Sequence, residues 1–188
     1  LSVTGTREDG YHTLDTIMQR IELCDELTLC PAGDWGVECA GSLAPENGEN
    51  TALIAARAYA EAAGLTEGYR ILIRKNIPLG AGLGGGSADA AAVLAALNGR
   101  HRALSPEELK ELALSVGADV PFCLNGGCAR CTGVGEVIRP APVAHRYHLV
   151  LAGCGTRLST AEVFRQYDAL RPPQGVGGAP SARQKEEW

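Results

Sequence analysis

Apolar and polar residues alternate most regularly over residues 69–75, where Ile71 and Ile73 stand against Arg70, Leu72 and Arg74, and this predicts a strand. A partial alternation at Ile21, Leu23, Leu27 and Leu29 predicts strands or a bent ribbon, entered through turn chemistry at Arg7, Glu8, Asp9 and Gly10. Residues 31–50 read as loop with one short strand at 35–39. Helical spacing follows: Asn50 is a good N-cap, Leu53, Ile54, Ala56, Ala58 and Tyr59 give an apolar face, and Gly64 is a stop. An Ala-rich helix is predicted over 87–98, stopped by Gly99. Another opens at the capping box Ser105-Pro106-Glu107-Glu108 and ends near Val116 and Gly117. Residues 128–138 predict a hairpin around Gly133 and Gly135, 147–152 a short apolar strand, and 159–170 a short helix. From Arg171 the chain carries Pro and Gly with few apolar residues, so 171–188 reads as linker or disordered tail. There is no internal repeat, and the sum is an α+β chain.

Composition narrows the function classes. The 188 residues are 45% apolar and 21% charged, enough for a real core. Acidic residues (22) exceed Lys plus Arg (17) for a net charge of −5, and no basic stripe marks a nucleic-acid binder. No apolar run approaches the ~18 residues of a membrane span, and no signal peptide opens the chain, so a cytoplasmic setting without membrane contact is expected. Seven cysteines cannot all pair, and they read as reduced, buried small hydrophobes. Cys123, Cys128 and Cys131, with Cys154 available, mimic part of an iron–sulfur spacing. Residues three apart on a strand face opposite ways, however, so no metal ligands are assigned. No G-x-S-x-G elbow or other hydrolase context surrounds the Ser and His residues.

Glycine is the informative excess, because five of the 24 fall between Gly80 and Gly86. An apolar strand, a glycine loop and a helix start together make an anion site. Glycines turn backbone N–H groups inward, and the free N–H groups of the helix start add partial positive charge. The expected ligand is a nucleotide phosphate. A Walker A loop is rejected, because Gly86 stands where Lys is required. Gly80, Gly82 and Gly85 match G-x-G-x-x-G, but the next element is the helix at Ser105 instead of a ribose-binding strand, which demotes dinucleotide binding. Asp119 follows Gly117 and precedes Val120-Pro121-Phe122. A carboxylate there can accept or orient the proton of an attacking hydroxyl; an Asx turn holding the Pro121 corner explains it equally well.

The run Pro78-x-Gly80-x-Gly82-Leu83-Gly84-Gly85-Gly86-Ser87 resembles the ATP loop of the GHMP small-molecule kinases. Three blocks together resemble, more narrowly, the 4-diphosphocytidyl-2-C-methyl-D-erythritol kinase family of the non-mevalonate isoprenoid pathway. They are Arg7-Glu-Asp-Gly-Tyr11-His12-Thr-Leu, the stretch 78–92, and Gly117-Ala-Asp119-Val-Pro-Phe122 followed by Gly133-Val-Gly-Glu136, and the likeness covers roughly residues 1–167. The resemblance implies a GHMP fold: a ribosomal-protein-S5-type, ATP-binding N-terminal domain over 1–142, and the start of a ferredoxin-like domain over 143–170. It implies ATP with Mg2+, the phosphates lying on Pro78, Leu79, Gly80, Ala81, Gly82, Leu83, Gly84, Gly85, Gly86, Ser87 and Ala88. Asn50 and Lys75 match positions near the adenine, though a helix cap and a strand-end charge are ordinary uses of both. Asp119 matches the catalytic carboxylate. Tyr11 and His12 match residues that stack on and hydrogen-bond a cytosine, and Phe164 matches the opposing aromatic; a half-buried Tyr, a surface His and a helix-core Phe are the plain alternatives.

The implied partner is therefore one small molecule, a cytidine-diphosphate sugar alcohol, with no nucleic acid and no membrane; the sequence carries no signal for oligomeric state. A sibling GHMP kinase of the homoserine or mevalonate type and a non-catalytic nucleotide-binding fragment stay open as alternatives. The family also carries a leading strand with a Lys and an Asn, and a later glycine-rich segment. The chain is thus expected to be a piece of a longer protein, poorly active alone and prone to associate through unpaired edge strands.

Overall fold

The chain runs β1 (Ser2–Thr6), β2 (His12–Gln19), β3 (Glu26–Ala32), β4 (Gly36–Ala40), α1 (Thr51–Ala63), β5 (Gly68–Arg74), α2 (Gly85–His101), α3 (Pro106–Val116), α4 (Val120–Asn125), β6 (Cys128–Gly133), β7 (Val137–Pro140) and α5 (Thr160–Leu170) in a computed structural model that describes residues 1–143, 147–153 and 159–170. One sheet has the order β1-β2-β6-β7, antiparallel throughout. The other has the order β3-β5-β4, with β3 antiparallel and β4 parallel to β5. The parallel pair needs a crossover, and α1 supplies it.

The alternation over β5 works as expected. Tyr69, Ile71 and Ile73 are buried while Arg70, Leu72 and Arg74 are exposed. Their buried face meets α1 and α2, whose inward positions are largely alanine: Ala52, Ala55 and Ala56 on one, Ala90 and Ala91 on the other. Small side chains let the two helices approach closely, and Tyr59, Leu94 and Leu97 fill the remaining volume. A second, smaller core lies against the four-stranded sheet, where Phe122 of α4 packs with Ala129 and Cys131. Helix α4 joins the two cores: Val120 belongs to the larger one and Phe122 to the smaller.

The predicted caps form. Asn50 Oδ1 accepts from the Ala52 N–H at 2.9 Å. Gly64 ends α1 at φ 64°, with Leu65 N–H reaching the Ala60 carbonyl at 2.9 Å. Ser105 and Glu108 cap α3 reciprocally.

Several expectations change. The chain already pairs at Ser2–Thr6, ahead of the turn. Gly99 does not stop α2, which continues to His101 and caps on Arg102 at φ 53°. Its last turn is held from outside: Tyr69 Oη and His101 Nε2 lie 2.9 Å apart, and Asn98 Oδ1 accepts from both Tyr59 Oη and Leu104 N–H. Those bonds outweigh the ~1 kcal/mol that an interior glycine costs. Residues 147–152 form no strand; Val150 is 95% exposed, and a strand needs a neighbour for its N–H and C=O groups, which no described strand provides. The expected tail, 171–188, lies outside the described residues.

Candidate active site

The loop after β5 takes positive φ at Gly80 (66°), Gly82 (72°) and Gly84 (66°). Alternating left-handed residues turn successive N–H groups toward one side, and side chains other than glycine rarely hold that shape. Helix α2 begins two residues earlier than the expected Ser87, with Gly84 as its N-cap and no side chain capping it. The first intrahelical bond runs from Ala88 N–H to the Gly84 carbonyl at 2.9 Å. That leaves the N–H groups of Gly85, Gly86 and Ser87 without helical partners, pointing out of a long helix. The Gly86 carbonyl is tied to α1 by Thr51 Oγ1 at 2.9 Å, and a Cβ on Gly86 would stand 2.9 Å from that same oxygen. Pro78 and Ala81 are exposed, and Leu79 and Leu83 are half-buried.

Beneath the loop lies a buried ionic triad. Lys75 Nζ bonds Asp25 Oδ2, and Asp89 Oδ2 at 2.7 Å. Burial weakens the Lys75 charge, but the two carboxylates outweigh it and hold the ammonium above its ordinary range. Burial also raises Asp25, yet Lys75 and the N–H groups of Ile77 and Asn76 bring it below 3.8. Asp89 goes the other way, pushed up to about 6 by burial that Lys75 only partly offsets, with Asp25 repelling it as well. Its Oδ1 is buried without a partner. Asn50, beside this region, spends its side chain on the α1 cap and on the Pro45 carbonyl, which accepts from Nδ2 at 2.7 Å.

The Asp89 carboxyl predicts a pH dependence of stability. Its pKa rises from 3.8 when unfolded to about 6 when folded, so its contribution is complete below pH 4 and is lost as pH rises through 6. The loss is on the order of 3 kcal/mol. Asp89→Asn mimics the protonated form. Relative to the parent protein, the variant should gain stability between pH 4 and pH 7 in urea titrations; a difference flat with pH would refute the assignment.

Asp119 forms the N-cap position of α4 instead of sitting on an open loop, yet its side chain makes no capping bond. It is exposed at the rim, but enough protein crowds the carboxyl for dehydration to raise its pKa above 3.8. Asp119 Oδ1 lies 3.9 Å from where a Cβ on Gly135 would be. The Gly133–Gly135 turn belongs to the end of the sheet where Leu14 pairs with Gly133, so His12 and Asp119 share that end. Phe164 stacks on the His12 ring at 4.5 Å and 12°, Tyr167 meets it edge-on at 6.3 Å, and His12 Nε2 lies 2.8 Å from Asp168 Oδ1. Tyr11 is apart from this stack and 66% exposed.

Sequence reasoning missed Asp25, Asp89, Thr51 and Asp168. One signal was readable for the triad: a Lys between Ile73 and Ile77, both inward-facing, needs a buried counter-ion. Nothing local identified Asp25, 50 positions away, as that ion.

Residues 50–127 match the GHMP kinases N terminal domain. The chain is 45% identical over 170 residues to a 4-diphosphocytidyl-2-C-methyl-D-erythritol kinase of Desulfitobacterium hafniense, covering 89% of this chain and 58% of that protein. It is 44% identical to the protein of that name from Deinococcus radiodurans, over 89% and 57%. The chain therefore spans a little under three-fifths of these curated relatives. Among solved structures, a crystal structure of 4-(cytidine 5'-diphospho)-2C-methyl-D-erythritol kinase aligns with a TM-score of 0.70 at 43% identity, over 91% of this chain and 60% of that one. A homoserine kinase from Cytophaga hutchinsonii shares the fold at a TM-score of 0.55 and 22% identity, over 86% of this chain and 58% of that one. Residues 50–127 thus carry a GHMP kinases N terminal domain, and over the chain as a whole the likeness is to the 4-diphosphocytidyl-2-C-methyl-D-erythritol kinases.

Proposed function

We propose that the protein carrying this chain uses ATP to phosphorylate the 2-hydroxyl of 4-diphosphocytidyl-2-C-methyl-D-erythritol. The observation that carries this reading is the row of left-handed glycines ending at the uncapped start of α2. Free N–H groups and the helix dipole suit a triphosphate. Phosphoryl transfer asks a protein mainly for alignment and charge stabilisation, and this arrangement supplies both.

The remaining residues take roles that fit their chemistry. Asp119, dehydrated but not fully buried, orients the attacking hydroxyl and accepts its proton. Tyr11 would stack on the cytosine and His12 hydrogen-bond it, with Phe164 as the opposing aromatic once the base parts it from the His12 ring, on which it now stacks. Lys75 and Asn50 would stand near the adenine, as the resemblance implies, with their side chains engaged in the Asp25–Asp89 triad and the α1 cap. Among the described residues no three His, Cys, Asp or Glu side chains gather as metal ligands. Mg2+, when bound, would offset the charge of the phosphates. Residues 143–170 are read as the beginning of a second domain. No helix among the described residues is long and apolar enough to cross a membrane.

The test is ATP turnover by the full-length gene product with the cytidine compound, homoserine and mevalonate side by side. Turnover confined to the cytidine compound is expected, and a preference for either other alcohol would overturn the substrate. Phe164→Ala should raise KM for the cytidine compound about tenfold, since base stacking contributes ~1–3 kcal/mol, and leave KM for ATP unchanged.

A further inference from the structure

Asp25 makes more bonds than a surface turn needs. Its carboxylate is only 2% exposed and pairs with Lys75. Its Oδ1 also accepts from the backbone N–H groups of Asn76 at 2.6 Å and Ile77 at 2.8 Å. Beside it, Asn76 Nδ2 donates to the Cys24 carbonyl at 2.9 Å. Residues 24 and 25 thus grip the segment 75–77, immediately ahead of Pro78. Beyond the loop, Lys75 Nζ reaches Asp89 Oδ2 at 2.7 Å, in the second turn of α2. The residues that bracket the loop are joined side chain to side chain, and Asp25 fastens the joint to the strand that follows it, β3.

We propose that Asp25 is a positioning residue for the nucleotide: through Asn76, Ile77 and Lys75 it sets where the glycine loop leaves β5 and how it meets the start of α2. This deepens the phosphate reading of the loop and rests on it. Five glycines within seven positions give the loop wide conformational freedom, and only Ala81 and Leu83 among those seven carry side chains to limit it. A ligand that had to order such a loop would bind more weakly, because the ordering entropy subtracts from its affinity. Anchoring both ends removes most of that entropy before the ligand arrives. The three bonds to Asp25 act at one end and the Lys75–Asp89 bond acts at the other, so one acid governs both.

The experiment is steady-state kinetics on the full-length gene product with ATP and the cytidine compound varied separately. Asp25→Asn keeps the size of the side chain and an acceptor for the two N–H groups, but removes the charge facing Lys75. KM for ATP should rise about tenfold with kcat within about threefold and KM for the cytidine compound unchanged. Asn76→Ala, at an exposed position, releases only the Cys24 carbonyl and should raise KM for ATP a few-fold with the same selectivity; it decides the matter if the first variant fails to fold. A merely structural loss would lower the active fraction and kcat without this split. Unchanged KM for ATP in the folded variants, or a rise shared by both substrates, overturns the proposal while leaving the phosphate reading standing. Failure of the unsubstituted protein to take up ATP would overturn that reading, and the role of Asp25 with it.

Discussion

Asp119→Asn should lower kcat by about a thousandfold, in the middle of the range for removing a positioned general base, while ATP binding stays within about twofold. The amide keeps the size of the carboxylate and costs the fold little, because the native side chain makes no capping bond on α4. In the role proposed for Asp119, what disappears is the acceptor for the hydroxyl proton. The parent protein should also lose activity as pH falls through the Asp119 pKa, which dehydration raises above 3.8, since the base must be ionised to act. Stopped-flow or coupled-assay turnover, paired with titration of a non-hydrolysable ATP analogue, separates the two quantities. Turnover within tenfold of the parent would remove Asp119 from the mechanism.

Gly82→Val comes second in size and acts on binding. A β-branched residue strongly disfavours the φ of 72° found there, at roughly 1–3 kcal/mol, although no atom lies within 4 Å of the added Cβ. With no clash to relieve, the strain relaxes by turning the backbone, and the N–H groups it aims leave their common direction. ATP affinity should fall by about tenfold to a hundredfold. Gly82→Asn, a residue that tolerates the left-handed region, should lose much less. Equal losses for Val and Asn would mean that the shape of this turn does not govern the ligand.

The elements legible in the sequence were those fixed by neighbours in the chain. Asn50, Gly64 and the Ser105–Glu108 box act within a turn of the helices they bound, and the alternation of β5 directly reports burial. The features that escaped depend on residues far apart. Gly99 reads as a stop until Tyr59 and Tyr69 are seen holding Asn98 and His101. Helix α4 has six residues, too few for a periodic signal, and forms because Val120 and Phe122 each find a core. In the site, the left-handed turn of the glycine loop was legible because its glycines are neighbours in the chain, whereas Asp25 required the β3–β5 pairing that carries it beside Lys75. The stack of Phe164 on His12, rather than on Tyr11, is likewise set by how α5 docks.

The place of α4 has a mechanical consequence. One side chain of this short helix belongs to the larger core, where α4 packs on α2 and α3, the next but one to the smaller core against the four-stranded sheet, and the acid stands just ahead of both. Its coordinates are therefore fixed by the seam between two independently packed layers, as a keystone is fixed by the blocks beside it. Any sliding of one layer over the other moves the carboxylate relative to the glycine loop without breaking a single strand, so alignment is the first property this architecture surrenders when it loosens.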